Sequence, residues 1–118
     1  MIAMRRRRLL ARVLIVLAPV TPATAQGARP PAVTDSAIAW GRHLFHGSAN
    51  CAVCHGDDGK GGHTGGAPLD KVADFNAAIQ TVTAGRNNMP SFRSAFTPEQ
   101  VRDVSAYVVQ TLAAGSAR

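Results

Sequence analysis

The chain has 118 residues, and 13 Lys and Arg against 7 Asp and Glu give it a formal net charge of +6. A chain of this length forms one small domain at most. Five of the arginines lie within residues 5–12, and the remaining 8 basic and 7 acidic groups nearly balance. Because no basic patch is left outside this short segment, the composition argues against nucleic-acid binding.

Residues 1–25 have the organisation of a secretory signal peptide. Arginines at positions 5–8 are followed by a short apolar stretch and then by the small residues Ala23 and Ala25. This pattern predicts cleavage after Ala25 and export to the periplasm. The alternative is an uncleaved N-terminus that anchors the protein in the membrane, facing the periplasm. The longest uncharged apolar run, residues 13–20, is however shorter than the ~20 residues that a spanning helix needs.

The exported chain is predicted to begin with a disordered lead-in, residues 26–34, because prolines and a glycine lie there. A first helix then begins at Asp35, which is the expected N-cap, and ends near residue 46. Its apolar positions recur at helical spacing and share one face. They are Ile38, Gly41, Leu44 and Phe45.

Two further helices are predicted from their end signals. One fits residues 74–84, with Asp74 as its N-cap and Gly85 directly after its last residue. The other begins with a capping box, in which Thr97 is the N-cap and Gln100 follows three residues later; we expect this helix to run to Gly115. The apolar side chains of its buried face are Val101, Val104, Val108 and Leu112.

Two long loops, residues 47–71 and 86–96, connect these helices. The first contains seven glycines, and a structureless loop of this length in so small a domain indicates a functional segment. No alternating strand pattern is present. The sequence therefore predicts an all-α domain of three main helices and two long loops over residues 35–114, with a C-terminal tail at residues 115–118.

Both cysteines of the chain lie in residues 51–55, Cys-Ala-Val-Cys-His. This spacing is the attachment signature of haem c. The thiols of Cys51 and Cys54 add to the two vinyl groups of the porphyrin, and His55 becomes an axial ligand of the iron. The sequence thus predicts one covalently attached haem c per chain.

Three alternatives use the same cysteines. A thioredoxin-like dithiol requires a βαβ pattern, which the sequence lacks. A disulfide between Cys51 and Cys54 would close a very short, strained loop. A structural zinc site would add His43 and His46 to the two thiolates.

A second axial ligand is expected from the other long loop. Met89 is the only methionine that remains after the predicted cleavage. Pro90 follows it directly, and its fixed φ and missing amide proton stiffen the segment. A loop methionine often only fills a gap in the core, but together with the haem signature we predict that Met89 ligates the iron opposite His55.

In combination, these residues resemble the class I cytochromes c, which are small monohaem electron carriers. The resemblance is closest to the bacterial periplasmic type with a Met-Pro distal loop, and it covers residues 35–114. The matching positions occur in the order that the family shows. They are Gly41, Phe45, residues 51–56, residues 59–62, Pro68, Leu69, Met89, Pro90 and residues 106–108.

The resemblance implies roles for several further residues. Gly41 would let the first helix cross the last at close range, since it has no Cβ. Phe45 and Tyr107 would pack around this crossing and on the haem edge. The carbonyl of Pro68 would accept a hydrogen bond from Nδ1 of His55, which would leave Nε2 for the iron.

Five polar and aromatic candidate residues lie outside this set. Arg86 would pair with a haem propionate, although an ordinary solvated arginine is an equal alternative. Trp40 would pack in the core or at the haem edge. We interpret His43, His46 and His63 as surface groups.

The function that the resemblance implies is that of a periplasmic carrier of single electrons between redox proteins, not an enzyme. With both axial positions filled, the iron has no open position for a substrate and cycles between Fe(III) and Fe(II). One alternative is a haem-c subunit or domain partner of a larger dehydrogenase or oxidase complex. Another is a five-coordinate haem that binds a gas or peroxide. We expect a monomer or a transient complex, without a stable membrane span after cleavage.

Overall fold

The computed structural model describes residues 33–115. The predicted signal peptide, most of the predicted lead-in and residues 116–118 of the predicted tail lie outside the described residues. Within residues 33–115 the chain is helical, with one isolated two-residue bridge and no strand, so the predicted all-α fold is confirmed. The helices are α1 (Asp35–His46), α2 (Cys51–His55), α3 (Phe75–Ala84) and α4 (Pro98–Tyr107), and α4 continues as a π-helix over Val108–Ala113.

Side-chain caps determine where the three longer helices begin. Asp74 accepts a hydrogen bond from the amide of Ala77 at the start of α3, and Thr97 forms the predicted capping box at the start of α4. The predicted N-cap of α1 was wrong by one residue. Thr34 is the cap, because its Oγ1 accepts from the amide of residue 37, while Asp35 lies in the first turn, where its charge favours the helix dipole.

α1 and α4 cross at a glycine. A Cβ on Gly41 would overlap the carbonyl oxygen of Asp103 and would lie 3.0 Å from Cβ of Tyr107. The rings of Phe45 and Tyr107 pack edge to face beside this point, with their centroids 5.4 Å apart. The prediction that Gly41 permits a close crossing, with Phe45 and Tyr107 packed around it, is therefore confirmed.

The buried core lies along this crossing. All four side chains predicted for the inner face of the last helix are buried. The helix does not remain an α-helix to Gly115, as predicted, but widens into the π-helix after Tyr107. In this wider turn Leu112 packs against Gly59. A Cβ added to this glycine would lie only 2.9 Å from Cδ1 of the leucine. The core cluster consists of Leu44, Phe45, Val104, Tyr107, Val108 and Leu112.

Candidate functional site

α2 carries all three residues of the predicted haem-attachment signature. The sequence predicted a loop here, but residues 51–55 form one short helix. Cys51, Cys54 and His55 stand at positions i, i+3 and i+4, so they share one side of it. Cys51 is half-buried, Cys54 is exposed, and both thiols are free. Two unpaired thiols beside an imidazole are the donor set that haem c requires.

The imidazole of His55 is held by a hydrogen bond to the neighbouring loop. Its Nδ1 lies 2.7 Å from the carbonyl oxygen of Ala67. Because a carbonyl only accepts, Nδ1 carries the proton in this hydrogen bond, and the neutral tautomer that makes it has its lone pair on Nε2. The prediction that Pro68 supplies this carbonyl was wrong by one residue: the acceptor is the oxygen of the Ala67–Pro68 peptide bond, where the proline holds the preceding residue extended.

The glycine-rich loop after α2 caps the end of that helix. A helix of five residues leaves its last carbonyl groups without intrahelical partners, and this loop supplies donors to three of them over 2.8–3.0 Å. The loop approaches so closely that a Cβ at Gly66 would overlap the carbonyl of Cys54. The donors are the amides of Gly61 and Gly62 and the hydroxyl of Thr64; the acceptors are the carbonyls of His55, Cys54 and Val53, respectively.

The geometry disagrees with the three alternatives for the cysteines. Burial, with a smaller contribution from neighbouring Cys54, raises the pKa of the Cys51 thiol to about 11, whereas a reactive dithiol needs a lowered pKa. Cys51 and Cys54 are not bonded to each other. No group of three or more His, Cys, Asp or Glu side chains within residues 33–115 is arranged to hold a metal ion, so the arrangement gives no support to a zinc site with His43 and His46.

The loop that carries Met89 is closed by a tight turn. The backbone groups of Arg86 and Met89 exchange two hydrogen bonds, of 3.1 and 2.9 Å. Asn87 has a φ of 53° within the turn, a conformation that asparagine tolerates better than most residues. The side chain of Met89 is half-buried, whereas Arg86 and Pro90 are exposed.

Apolar packing differs between the two sides of the fold. α1 and α4 with its π-helix supply all six members of the core cluster, whereas Ala78 is the only buried residue of α3. The large apolar side chains of α3 and the loops are only half-buried. A planar apolar group of porphyrin size would cover such side chains, so the residues present fit a haem. They are Leu69, Phe75, Ile79, Met89, Phe92 and Phe96.

His46 makes contacts that the sequence did not predict. It is a surface residue, as expected, but its Nε2 lies 3.2 Å from the hydroxyl of Tyr107 and its Nδ1 lies 3.5 Å from the carboxylate of Asp57. Burial raises the pKa of Tyr107; Arg42 opposes this shift and Asp57 adds to it. The contact joins positions 61 residues apart in the chain, and no local sequence signal could have found it.

The remaining aromatic and imidazole groups lie at the surface. His43 and His63 are exposed, in agreement with the prediction. Trp40 is 49% exposed and stacks on His43 with a centroid distance of 5.2 Å. Of its two predicted places, the core was therefore wrong, and packing at the haem edge stays a prediction.

Comparison with known proteins identifies the family. Residues 36–108 match the family model described as cytochrome c oxidase, cbb3-type, subunit III. The chain belongs to this cytochrome c family. Family membership confirms two predictions, a c-type cytochrome fold and a covalently bound haem c.

Curated relatives include both small cytochromes and oxidase subunits. Cytochrome c6 of Thermosynechococcus vestitus is 36% identical over 94 residues, which cover 72% of this chain and 80% of that protein. The cbb3-type oxidase subunit FixP of Bradyrhizobium diazoefficiens is 38% identical over 66 residues, which cover 50% of this chain. The aligned part spans only 23% of FixP and 61% of the cytochrome c6 of a Nostoc strain.

Solved structures of class I cytochromes c have the same fold. Cytochrome c6 of the diatom Phaeodactylum tricornutum superposes with a TM-score of 0.57 at 30% identity, over 66% of this chain and 97% of that one. Cytochrome cL of Methylophaga aminisulfidivorans superposes with a TM-score of 0.56 at 26% identity, over 66% of this chain and 57% of that one. Between residues 33 and 115 this cytochrome has no helix that is both long and apolar enough to span a membrane.

Proposed function

We propose that this cytochrome carries single electrons between redox proteins in the periplasm, with its haem held through Cys51 and Cys54 and its iron ligated by His55 and Met89. The observation that carries the proposal is the 2.7 Å hydrogen bond between Nδ1 of His55 and the carbonyl of Ala67. Histidines that ligate a metal characteristically donate their other ring nitrogen to such an acceptor. The bond supports His55 as the proximal ligand.

The turn at Arg86–Met89 supports Met89 as the second ligand. Its two backbone hydrogen bonds restrict the segment that carries the sulfur, and Pro90 restricts it further because its φ is fixed. The half-burial of Met89 agrees with a sulfur that faces a haem. A thioether ligand of this kind raises the reduction potential.

The haem supplies the one-electron chemistry, in which the iron cycles between Fe(III) and Fe(II). The polypeptide holds the two ligand-bearing segments so that little rearranges on electron transfer. His55 is held through its hydrogen bond to Ala67, and Met89 is held through its turn. His55 and Met89 would together supply two side-chain ligands to the iron and would leave it no position for a substrate, which agrees with a carrier.

Other residues of the predicted site have supporting roles in this proposal. Phe45 and Tyr107 would contact the haem edge from the helix crossing. Pro68 would line the proximal side and fix the peptide bond whose oxygen holds His55. Arg86 is exposed and forms the first residue of the Met89 turn, so its guanidinium could reach a haem propionate.

The predicted signal peptide supports a periplasmic location and a mature domain over residues 35–114. Outside residues 5–12 the charges nearly balance, so docking does not require a strongly basic face. Redox partners of such carriers form small, short-lived interfaces.

A second function, that of a haem-c subunit of an oxidase, is favoured by the family match and by the similarity to FixP. Size-exclusion chromatography of periplasmic extract separates the two. A free carrier elutes as a monomer, whereas a subunit elutes with the oxidase complex or stays in the membrane fraction.

The ligand proposal is tested by the optical spectrum of the oxidised, haem-loaded protein. The wild type should show the weak long-wavelength band of a sulfur–iron bond, and Met89→Ala and Met89→Leu should both lose it. His63→Ala, which removes an exposed imidazole, is the matched control and should keep the band. A wild type without the band contradicts Met89 ligation and favours the five-coordinate haem that binds a gas or peroxide. The mass of the same protein should equal the chain cleaved after Ala25 plus one haem.

A further inference from the structure

The segment after Met89 caps the C-terminus of α3. The hydroxyl of Ser91 donates to the carbonyl of Thr83 over 2.6 Å, and the amide of Phe92 donates to the carbonyl of Val82 over 3.1 Å. Both acceptors lie in the last turn of α3, where carbonyl groups lack intrahelical partners. Ser91 also accepts a 3.3 Å hydrogen bond from the amide of Arg93. The hydroxyl of Ser91 thus bonds both to the end of α3 and to the loop backbone two residues further along.

The Met89 turn returns to the residue from which it starts. Gly85, with a φ of 75°, ends α3. A Cβ on it would lie 2.6 Å from the carbonyl oxygen of Met89 and 2.8 Å from the amide nitrogen of Ser91. Two sets of contacts therefore hold the loop against the end of α3. The first is the Arg86–Met89 turn, which packs on Gly85, and the second is the hydrogen bond of Ser91, directly after Pro90.

We propose that Ser91 is a positioning residue for Met89, a role that rests on the proposed ligation of the iron by that methionine. Pro90 has no amide proton and therefore cannot donate a backbone hydrogen bond to α3. Ser91 is the first residue after Met89 that donates a hydrogen bond to α3. Its hydroxyl holds the Met-Pro segment against the helix, and the sulfur is thereby presented to the iron.

The size of the effect follows from the competition between a bound and a released loop. An external ligand binds the iron only in the fraction of molecules whose methionine has left it, so its apparent affinity reports the stability of the closed loop. One hydrogen bond contributes a net stabilisation that corresponds to roughly a two- to tenfold change in this equilibrium. Since Ser91 is exposed and water competes for its hydroxyl, we expect a value in the lower half of that range.

The experiment is an imidazole titration of the full-length, haem-loaded, oxidised protein, followed by loss of the sulfur–iron band. Ser91→Ala should bind imidazole about two- to fivefold more tightly than the wild type. Ser94→Ala is the control, because Ser94 lies in the same loop, is exposed, and makes no side-chain hydrogen bond to α3. Ser91→Thr keeps the hydroxyl and should bind imidazole with the wild-type affinity. Ser91→Val has the shape of threonine but lacks the hydroxyl, and it should behave like Ser91→Ala.

The outcomes separate this proposal from the one on which it rests. A wild type without the sulfur–iron band refutes ligation by Met89, and with it any positioning role. A wild type with the band, together with Ser91→Ala and Ser91→Val variants of unchanged imidazole affinity, refutes only the role of Ser91. A loss of unfolding free energy in Ser91→Ala without a change in imidazole affinity indicates a purely structural contact and also overturns the proposal.

Discussion

Replacement of Gly41 by alanine tests the crossing of α1 and α4 directly. The added Cβ would overlap the carbonyl oxygen of Asp103 and would lie 3.0 Å from Cβ of Tyr107, whereas carbon atoms in contact pack at about 3.5–4.0 Å. The obstacle is backbone, so no change of rotamer relieves it. The two helices must move apart, and the packing of Phe45 against Tyr107 must loosen with them.

The expected cost is the difference between two opposing effects. In an unobstructed helix, glycine to alanine stabilises by about 1 kcal/mol. Overpacking of a core costs about 1–3 kcal/mol and sometimes more, and here the upper end applies because the whole core cluster lies along this crossing. We therefore expect Gly41→Ala to lower the free energy of unfolding by about 2 kcal/mol or more, a large part of the ~5–15 kcal/mol that small domains possess.

The measurement is guanidinium denaturation of the haem-loaded proteins. Gly115→Ala is the matched control, because nothing lies within 4 Å of its Cβ position and its effect should stay within about 0.5 kcal/mol. A Gly41→Ala variant as stable as this control would mean that the helices do not need their close approach, and the reasoning about the crossing would be wrong.

Two further substitutions on α4 test its electrostatics and its packing. Burial, with the Glu99 carboxylate, raises the pKa of Asp103. The protonated side chain therefore favours the folded state below the ordinary pKa of aspartate, and this contribution to the free energy of unfolding is lost as the pH rises through the raised pKa. Asp103→Asn should thus be the more stable protein at neutral pH, by at most about 0.5 kcal/mol, because Asp103 is only partly buried and solvent screens its charge. In thermal unfolding this gap should close towards about pH 4, and a less stable variant at neutral pH contradicts the argument. Ser105 Oγ is fully buried without a hydrogen-bond partner in residues 33–115; Ser105→Ala should therefore leave the free energy of chemical unfolding unchanged or raise it by up to about 1 kcal/mol, and a clear loss would reveal a partner for the hydroxyl.

Helix starts were predictable where the signal is contained within one turn. Asp74 and the Thr97–Gln100 capping box both act on amides three residues away, so the chain itself carries the whole interaction. At α1 two good cap residues are adjacent, and the sequence could not tell that the hydroxyl of Thr34 would reach the amide and Asp35 would not. The periodicity of α4 likewise placed its inner face correctly but could not show the change to a π-helix, since Val108 and Leu112 are buried in the wider turn just as an α-helix predicts.

The chemistry of the site was predictable from spacing, whereas the contacts that hold it were not. Residues 51–55 carry the attachment signature within five positions. The acceptor for His55 lies 12 residues away. The family pattern indicated the correct loop but not which of its carbonyl groups faces the imidazole, so Pro68 was predicted in place of Ala67. The helical form of α2 depends on hydrogen-bond donors in the glycine-rich loop, and the spacing of apolar residues does not predict such donors.

Both segments proposed to ligate the iron are held by the same physical device. α2 and α3 each end in carbonyl groups without intrahelical partners, and in each case the following loop folds back to satisfy them: through Gly61 and Gly62 at α2 and through Ser91 and Phe92 at α3. Helix ends that require partners thus fix the loops, and the loops fix His55 and Met89. Most of these donors are backbone amides, so most side-chain changes in the loops would leave them in place. Ser91 is the place on the methionine side where this connection depends on a side chain, which is why a single hydroxyl there is expected to affect the iron.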